Sequence, residues 1–371
     1  MILVLNRGSS TLKYRLFPAA GDGAAAAVGG VLPVSGAASA GAAFARVAAQ
    51  AEIAAALTAV AHRVVHGGDR FRAATLVDAA VLRGIRALAP LAPAHQEPAA
   101  DLIAAAAARW PDLPQVAVFD TAFHATLPAA AATYAIDAAV ARRHHIRRYG
   151  MHGISHAYVV GRTAALLGRP VAALRLIVLH LGNGASAAAV AGGRSVETSM
   201  GLTPLEGLVM GSRCGDLDPA VPGYLHRVAG LDWPQVDAAL GDQAGLRGLC
   251  GDGDMRAVLA RRAAGDPAAA LAFDVYCHRL RKYVGAYLAV LGGAHAVVFT
   301  GGVGEHAAPV RAAALAGLGG LGIAVDDARN RAAGTQARIV SPEGCPVAVC
   351  VVPTDEERAI ADEARAALAR R

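Results

Sequence analysis

Residues 176–186, LIVLHLGNGAS, combine an apolar run with a glycine-containing turn. The continuous apolar run at 176–179 predicts a buried strand. The sequence Gly182-Asn183-Gly184 that follows predicts a hairpin, because asparagine and glycine tolerate the positive φ angles that such turns require. Since glycine carries no side chain, the backbone N–H groups of this turn are open to an approaching anion.

Two further stretches repeat this form. Residues 2–5 are apolar and run into NRGSS at 6–10, and residues 297–300 run into GGVGE at 301–305. Three predicted strands therefore end in small, polar, glycine-bearing turns. This pattern is typical of a protein that surrounds phosphate groups with backbone amides.

The length and composition favour two domains and no membrane segment. With 371 residues, the chain is long for one domain. Hydrophobic residues make up 55% but aromatic residues only 5%, so much of the hydropathy comes from alanine, and no apolar run reaches the length of a membrane span. The five cysteines include no C-x-x-C pair, and the N-terminus enters a strand at once. We therefore expect a cytoplasmic protein without disulfides, zinc or a signal peptide.

Arginine carries almost all of the positive charge. The formal net charge is +6, and Lys13 and Lys282 are the only lysines in the sequence. Arginine suits bidentate capture of carboxylate or phosphate. The densest basic run, residues 142–148, lacks the interleaved aromatic residues of a single-strand nucleic-acid binder. We therefore expect an anionic small molecule as the partner, and neither nucleic acid nor a membrane.

Charged residues at strand ends are the first candidate site residues. Arg63 lies in the apolar segment 61–65, where an arginine needs either a bound anion or a structural carboxylate. Asp120 follows the predicted strand 115–119, at the edge where open α/β sheets hold their chemistry; alternatively, it caps the segment after it. Residues 147–156 group two arginines and two histidines around glycines, which indicates a site for a negative charge. The long loop region 197–219 contains Arg213, and loops of this length are usually functional.

The remaining segments predict helices, loops and one misleading motif. We expect loops with short edge elements over 18–50, a loop at 91–95, and helices at 51–59, 77–88, 98–109, 157–167, 268–291 and 358–369. Asp254 is expected to open a further helix. Residues 317–322 match G-x-G-x-x-G, but a helical pattern precedes them and a predicted strand follows at 323–325. A dinucleotide site requires the reverse order, so we exclude one here.

Nine segments, in order along the chain, resemble the acetate kinase family. They are N-x-G-S-S-T-x-K at 6–13, HRVVHGG at 62–68, FDTAFH at 119–124, residues 147–156, HLGNGAS at 180–186, residues 198–207, 211–220 and 300–305, and PTDEE at 353–357. The resemblance implies an α/β fold of two duplicated actin-like domains with a nucleotide cleft between them. This ribonuclease H-like fold is shared by sugar kinases and Hsp70. The resemblance also implies an N-terminal acyl and phosphate domain at 1–124 plus 358–371, and a nucleotide-binding domain at 125–357.

The resemblance implies a reaction and its catalytic residues. The reaction is reversible, Mg²⁺-dependent transfer of the ATP γ-phosphoryl group to acetate, which gives acetyl phosphate and ADP. Catalysis is expected to use Arg63, Asp120, His152 and Arg213, with His152 and Arg213 stabilising the transition state. Asn6 and Glu356 are expected to hold Mg²⁺, with Mn²⁺ as the alternative ion. A homodimer is expected on the same basis.

The other roles implied by the resemblance are binding roles. The acyl substrate is expected to contact Arg63, Val65, Ala94, His95, Met151 and Pro204, and Arg147 is expected to add positive potential. ATP or ADP is expected to contact Ser9, Thr11, Lys13, His180, Gly182, Asn183, Gly184, Asp254, Met255, Arg256, Gly302, Val303, Gly304 and Glu305.

Departures from the family pattern leave alternatives open. Ala94 stands where leucine is common, so the acyl pocket gains room, which motivates a propionate or short-chain acyl kinase as the alternative function. Asp355 stands where asparagine is usual and adds a negative charge beside Glu356. A nucleotide-driven binder of the same fold and a sugar kinase with Asp120 as its base are further alternatives. The pair Arg63 and Arg213 and the apolar acyl pocket argue against a non-catalytic, nucleotide-driven binding protein.

Overall fold

The structure is a computed structural model that describes residues 1–8, 11–19, 28–54 and 56–370, without the side chains at 37, 38, 51–54 and 94. The predicted nucleotide contact Ser9 lies outside the described residues. The chain divides into two compact units. Unit 1 comprises Met1–Ala125, Met151–Tyr158 and Asp355–Arg371, and unit 2 comprises Thr126–Gly150 and Val159–Thr354. The predicted division into an acyl domain and a nucleotide domain stays a prediction.

Each unit is built on one sheet. The strands of unit 1 are β1 (Ile2–Arg7), β2 (Thr11–Phe17), β3 (Val28–Pro33), β4 (Ala59–Val64), β5 (Thr75–Leu76) and β6 (Gln115–Phe119). The strands of unit 2 are β7 (Arg175–Leu181), β8 (Ala185–Ala191), β9 (Arg194–Thr198), β10 (Ala296–Thr300), β11 (Arg338–Ile339) and β12 (Ala348–Val351).

Helices flank both sheets. In chain order they are α1 (Ala37–Ala54), α2 (Ala79–Ala87), α3 (Pro93–Arg109), α4 (Ala129–Ala132), α5 (Ala138–Arg143), α6 (Gly153–Leu166), α7 (Ala220–Val228), α8 (Trp233–Gly241), α9 (Gly245–Cys250), α10 (Met255–Ala263), α11 (Pro267–Leu291), α12 (Gly301–His306), α13 (Ala308–Leu315), α14 (Asp327–Arg331) and α15 (Glu356–Ala369). Within the described ranges, none of them is long and apolar enough to cross a bilayer.

The two sheets have the same topology. In unit 1 the strand order is β3-β2-β1-β4-β6-β5, and in unit 2 the equivalent order is β9-β8-β7-β10-β12-β11. In each sheet the first strand pairs antiparallel with the hairpin strand that follows it and parallel with the strand after the crossover. The last main strand is again parallel, and a two-residue strand pairs antiparallel with it. This repeated order confirms the predicted duplication.

The two faces of the unit 1 sheet pack against different helices. Ile2 and Val4 point to the face covered by α15, where Ile360 is fully buried. Leu3 and Leu5 point to the opposite face, which α1 and α3 cover. Because side chains alternate along a strand, Asn6 continues the α15 face and Arg7 the α1/α3 face.

Several predicted boundaries were wrong. α1 spans Ala37–Ala54, although loops were predicted up to residue 50 and a helix only at 51–59, because alanine has the highest helix propensity but too little apolar surface to give a clear periodic pattern. The predicted loop at 91–95 already contains the start of α3, and Pro93 suits the first helical position because its missing N–H has no intrahelical partner there.

Two further predictions failed at the glycine-rich segments. β10 runs straight into α12 at Gly301, so the third glycine turn is the start of a helix. The predicted strand at 323–325 is reduced to a single bridge between Ile323 and Val347.

Candidate active site

Arg63 and Asp120 form a buried ion pair in unit 1. They lie at the carboxyl ends of the parallel strands β4 and β6, which bring the two residues side by side. Arg63 Nη2 donates to Asp120 Oδ2 over 2.6 Å, and Nε lies 3.2 Å from both carboxylate oxygens. Burial alone would lower the pKa of Arg63, but the charges of Asp120 and Glu356 outweigh it and raise the pKa above its ordinary value. The guanidinium therefore stays charged and fixed in orientation.

Asn6 connects this pair to the start of α15. Arg63 Nη1 donates to Asn6 Oδ1 over 3.3 Å, and Asn6 Nδ2 donates to Glu357 over 2.8 Å and to Glu356 over 3.3 Å. Asn6 is 2% exposed, so its amide is held between the arginine and the two glutamates. One amide and two carboxylates supply hard oxygen donors of the kind Mg²⁺ takes, and they leave room for water and phosphate oxygens. Within the described residues, no group of three or more His, Cys, Asp or Glu side chains forms an all-protein metal cage.

A polar groove lies beside these carboxylates. Its volume is about 680 Å³, and its lining includes Lys13, Arg15, Asp355 and Glu357. Asp355 accepts from the backbone N–H of Arg358 over 3.0 Å, which caps α15, and it also receives two hydrogen bonds of 3.0 Å from Arg15. The negative charge that Asp355 adds to the family pattern is therefore used by the helix cap and by Arg15.

His152 has a strained backbone next to Asp120. Its φ angle is +59°, a region that residues other than glycine rarely occupy. The next residue, Gly153, donates to the carbonyl of Asp120 over 2.9 Å, and a Cβ there would lie only 2.1 Å from that oxygen. Only glycine permits this approach, which positions His152 beside the Asp120 turn. Strain of this kind is concentrated at functional sites, which supports the predicted role of His152.

His124 fixes the residue before His152. Its Nε2 lies 3.0 Å from the carbonyl oxygen of Met151, and burial lowers the pKa of His124 to about 4. The ring is therefore neutral at pH 7 and donates one hydrogen bond to the backbone. The motif FDTAFH includes this histidine, but its sequence gave no signal that distinguished a positioning residue from any other buried histidine.

In unit 2 the predicted glycine-rich segments meet at one edge of the sheet. β7 and β10 are parallel neighbours with His180 opposite Thr300. The β7–β8 hairpin therefore lies beside the start of α12, and a Cβ on Gly301 would lie 2.8 Å from the carbonyl of Leu181. At the hairpin tip, the carbonyl of Asn183 accepts from the N–H of Gly211 over 3.0 Å. The predicted nucleotide residues Gly182, Gly184, Gly302, Val303 and Gly304 all belong to these segments.

Arg213 has spare hydrogen-bonding capacity. Its Nη1 donates to the carbonyl of Pro204 over 3.3 Å and lies 3.9 Å from the sulfur of Met210. Within the described part of the chain, it makes no ion pair with a carboxylate. Burial lowers the pKa of Arg213 from its usual value. A half-buried arginine whose Nε and Nη2 make no hydrogen bond to described residues suits the capture of an anion.

The predicted adenosine residues have different environments. Asp254 caps α10 by accepting from the N–H of Arg256 over 2.9 Å, and its carboxylate pairs with the exposed Arg256 side chain. Met255 is 3% exposed, so its side chain lies in the core. Glu305 accepts from the N–H groups of Gly301 over 2.9 Å and Thr354 over 3.2 Å, so its carboxylate supports the backbone of the segment.

Arg311 is a positioning residue that the sequence analysis missed. It is 1% exposed and donates to the carbonyls of Gly304 and Glu305 over 2.9 and 3.0 Å. It also donates to the Asn330 side chain over 2.7 Å. Burial lowers the pKa of Arg311 to about 10. The Arg311 guanidinium therefore satisfies two carbonyl groups at the carboxyl end of α12. Arg311 lies outside the nine segments that resemble the family, so no motif marked it.

The predicted acyl-contact residues are divided between the units. Val65 and Met151, which are 7% and 1% exposed, and the half-buried His95 lie in unit 1. Pro204 lies in unit 2 beside Arg213. The side chain of Ala94 lies outside the described residues.

The structure brings together four of the predicted catalytic and metal residues. Asn6, Arg63, Asp120 and Glu356 form one contiguous hydrogen-bonded and ion-paired group, which Glu357 extends. Thr11 lies at the start of β2, where its carbonyl accepts from the N–H of Gly8 over 2.8 Å. The convergence of Arg63 with Arg213 stays a prediction. So do the individual binding roles.

Comparisons with known proteins identify the family. The model of the acetokinase family matches residues 35–362. A relative named acetate kinase from Streptomyces griseus is 61% identical over 307 residues, which cover 83% of this chain and 74% of the relative. A second, from Leifsonia xyli, is 58% identical over 313 residues, covering 84% of this chain and 79% of the relative.

Solved structures are similar over nearly the whole length. The crystal structure of Porphyromonas gingivalis acetate kinase superposes with a TM-score of 0.89 at 33% identity and covers 99% of both chains. A propionate kinase from Francisella tularensis gives a TM-score of 0.89 at 36% identity, with 98% of both chains covered. With the same fold, a matching family model and relatives of this similarity, the chain belongs to the acetokinase family.

Proposed function

We propose that this chain catalyses reversible transfer of the ATP γ-phosphoryl group to acetate, giving acetyl phosphate and ADP. Family membership supports the reaction class. The observation that carries the proposal is the Arg63–Asp120 pair held against Asn6, Glu356 and Glu357 in unit 1. It combines a fixed cation for a small carboxylate with oxygen donors for the metal that accompanies ATP.

Arg63 and Arg213 neutralise charge in the proposed reaction. Phosphoryl transfer needs positioning and charge stabilisation more than covalent participation by the protein. Arg63, oriented by Asp120, binds the acetate carboxylate or the phosphoryl oxygens with its planar fork. Arg213 and His152 stabilise the charge that develops on the equatorial oxygens, and Arg147 and His95 add positive potential.

Acetate attacks directly and in line with the leaving ADP. It needs no general base, because a carboxylic acid is already ionised at neutral pH. Asp120 is therefore an orienting residue in this proposal, and its contact with Arg63 supports that role. A sugar kinase would need the same carboxylate as a free base.

Asn6 and Glu356 hold Mg²⁺ in this proposal, with Mn²⁺ as the alternative ion, and Glu357 joins them because it lies nearest to the Asn6 amide. The ion, when bound, supplies positive charge to the phosphate oxygens of ATP. Lys13 and Thr11 face the same phosphates, and the glycine-rich segments of unit 2 bind the nucleotide. In this proposal unit 1 is the acyl and phosphate domain and unit 2 is the nucleotide domain.

A hydroxamate assay for acyl phosphate tests the proposal. The purified chain is incubated with ATP, Mg²⁺ and either acetate, propionate or butyrate, and kcat/KM is compared. We expect acyl phosphate with acetate and none without a carboxylate. Absence of acyl phosphate together with phosphorylation of a polyol would contradict the proposal and favour a sugar kinase.

A propionate or short-chain acyl kinase is the second candidate function. Its support is the residue type at position 94, where alanine leaves more room than leucine. One methylene in apolar contact changes discrimination by about 1–3 kcal/mol. Ala94→Leu is expected to lower the propionate-to-acetate ratio of kcat/KM, and an unchanged ratio would contradict the role of position 94.

We also propose a cytoplasmic homodimer. Size-exclusion chromatography with light scattering tests the assembly, and a monomer at working concentration would contradict it. The predicted location rests on the reducing environment that five unpaired cysteines favour.

A further inference from the structure

Arg7 is a buried arginine that has no partner among the described residues. It ends β1 and is only 9% exposed. Its Nε and Nη1 atoms are fully buried, and within the described residues they make no hydrogen bond and the guanidinium forms no ion pair. A buried cation without a counter-charge is costly unless something else neutralises it.

Arg7 lines a cavity on the α1/α3 face of the unit 1 sheet. The cavity has a volume of about 310 Å³, and its walls include the apolar side chains of Leu12, Val34, Phe44 and Leu102. This volume is at the lower end of the range for small-molecule sites. The cavity is separate from the Asn6 group, because Asn6 faces α15 on the other side of the sheet.

Two glycines near the start of α1 leave open space beside the cavity. Gly36 and Gly41 both line the cavity, and a Cβ added to either of them would meet no atom within 4 Å. The helix has no acidic residue in its first turn. The amino-terminal end of an 18-residue helix therefore adds a positive potential near Arg7.

One carboxylate reaches the cavity wall, but it has its own partner. Asp101 of α3 is among the lining residues. It lies 2.8 Å from Nη2 of Arg86, and its side chain is 67% exposed. Asp101 and Arg86 therefore form a solvated surface ion pair, and no carboxylate of the described part of the chain pairs with Arg7.

We propose that this cavity is a binding site for a small apolar carboxylate, with the Arg7 guanidinium on the carboxylate group and the hydrocarbon chain against the apolar walls. Charge complementarity requires an anion, and the apolar lining favours a hydrocarbon chain over a bare inorganic ion. A guanidinium can donate a charge-assisted hydrogen bond to the carboxylate. Because Arg7 lies between Asn6 and the Gly8 turn in sequence, the site adjoins the proposed phosphate-binding segment through one strand.

Calorimetric titration of the full chain with hexanoate tests the proposal. We expect millimolar binding, the range that a ligand of this size reaches. Arg7→Met should weaken the binding by roughly tenfold or more, because a charge-assisted hydrogen-bonded contact is lost. Gly41→Leu keeps Arg7 but fills the open space, and it should abolish the binding. Arg46→Met, a matched change of an exposed arginine on α1, should leave the binding unchanged.

Two further titrations separate the possible ligands. Hexylammonium, with the opposite charge, should not bind, and inorganic phosphate should bind more weakly than hexanoate. Tighter binding of phosphate would overturn the carboxylate proposal, as would wild-type chain that fails to bind hexanoate. If hexanoate still binds to both Arg7→Met and Gly41→Leu, it binds elsewhere on the protein, and the proposal for this cavity is wrong.

Thermal unfolding without ligand provides a check on folding. Arg7→Met removes an unpaired buried charge, so its unfolding midpoint should equal or exceed that of the wild type. A lower midpoint would indicate a structural role for Arg7 and would contradict the proposal. This result does not depend on acetate kinase activity, so it separates the new site from the proposed function.

Discussion

Arg63 and Arg213 differ in the partners that the protein gives them. Arg63 is bound by Asp120 and Asn6, and the pKa of its guanidinium is raised by Asp120 and Glu356 against the effect of burial. Among the described residues, the Arg213 side chain donates only to a carbonyl and a sulfur, and burial lowers the pKa of Arg213. Arg63 is therefore held in place before substrate binds, whereas Arg213 is the arginine that a bound anion would stabilise more.

Replacement of either arginine by alanine is expected to lower kcat by about 10³-fold or more. Both would be in contact with transferring or developing negative charge, where such contacts contribute most. Equilibrium binding of ATP should survive, because the nucleotide is held by other segments. Steady-state kinetics and nucleotide titration measure the two effects separately.

Arg46→Ala serves as the control for these variants, because Arg46 is an exposed arginine on α1. It should retain wild-type turnover. Near-normal kcat in both Arg63→Ala and Arg213→Ala would contradict the assigned roles. Loss of ATP binding in either variant would place that arginine at the nucleotide instead.

Arg311→Met is expected to raise the KM for ATP more than it lowers kcat. The change removes the donors to the carbonyls of Gly304 and Glu305, which loosens the segment next to the β7–β8 hairpin. Leaving these buried acceptors without a donor also costs about 1–3 kcal/mol of folding free energy for each unsatisfied group. Kinetics and denaturant unfolding of the same preparation measure both effects.

Arg331→Met is the matched control, since Arg331 is an exposed residue of α14 whose ion pair among the described residues is with Asp327. Arg311→Lys should rescue little, because lysine lacks the planar fork that bonds several acceptors at once. If Arg311→Met leaves the KM for ATP unchanged while destabilising the chain, the residue is structural only.

The contact between Arg63 and Asp120 was predictable in outline. Arg63 and Asp120 lie at the carboxyl ends of neighbouring parallel strands, and such strand ends meet at one edge of a sheet. Glu357 and Arg311 were not predictable, because nothing local marks which of two adjacent glutamates approaches Asn6, or which arginine lies under a helix end. These choices are made by tertiary packing.

At the scale of elements, the start of α15 concentrates negative charge. Asp355 caps the helix, and Glu356 and Glu357 occupy its first turn, where the helix dipole stabilises carboxylates. This arrangement directs both glutamates toward the Asn6 amide. It explains why a strand and a helix distant in sequence supply one donor set.

Glu356→Gln and Glu357→Gln are each expected to raise the Mg²⁺ concentration needed for half-maximal activity by roughly 10- to 100-fold, as loss of a supporting or ligating carboxylate does. Glu363→Gln, an exposed position on the same helix, is the control. Manganese titrations should show the same order. A normal Mg²⁺ requirement in Glu357→Gln would limit the site to Asn6 and Glu356.

The predicted elements were most accurate where apolar periodicity was strong. β1, β6, β7 and α11 agree closely with their predictions, because each buries a continuous or periodic apolar set. Most of α1 was missed, because its alanines favour a helix without marking a buried face. Gly301 was read as a turn residue, although its positive φ serves the close approach of α12 to β7.

At the scale of the whole molecule, each of the two duplicated units has its own sheet, and each contains one tryptophan that can report on its unfolding by fluorescence. The chain has two tryptophans. Trp110 follows α3 in unit 1, where it packs against Phe44, and Trp233 opens α8 in unit 2. Trp233→Phe therefore leaves a fluorescence signal for unit 1, and Trp110→Phe leaves one for unit 2.

Unit 1 is expected to lose stability as the pH falls from 6.5 to 4. Burial lowers the pKa of His62 and of His124 to about 4, whereas both titrate near 6.5 when the unit is unfolded. Between these values the unfolded state binds more protons, so the free energy of unfolding decreases as the pH decreases. Each histidine contributes about 3 kcal/mol to the change, because one pKa unit corresponds to about 1.36 kcal/mol.

Urea unfolding of the Trp233→Phe chain at several pH values measures this loss as a fall in the midpoint of the Trp110 signal. His62→Gln and His124→Gln should each remove part of the pH dependence, because glutamine keeps a hydrogen-bond donor for Gln115 or Met151 without titrating. His226→Gln, at an exposed position of unit 2, should not change it. If the double variant of His62 and His124 keeps the full acid-induced loss, the buried carboxylates are responsible and the neutral histidines are not.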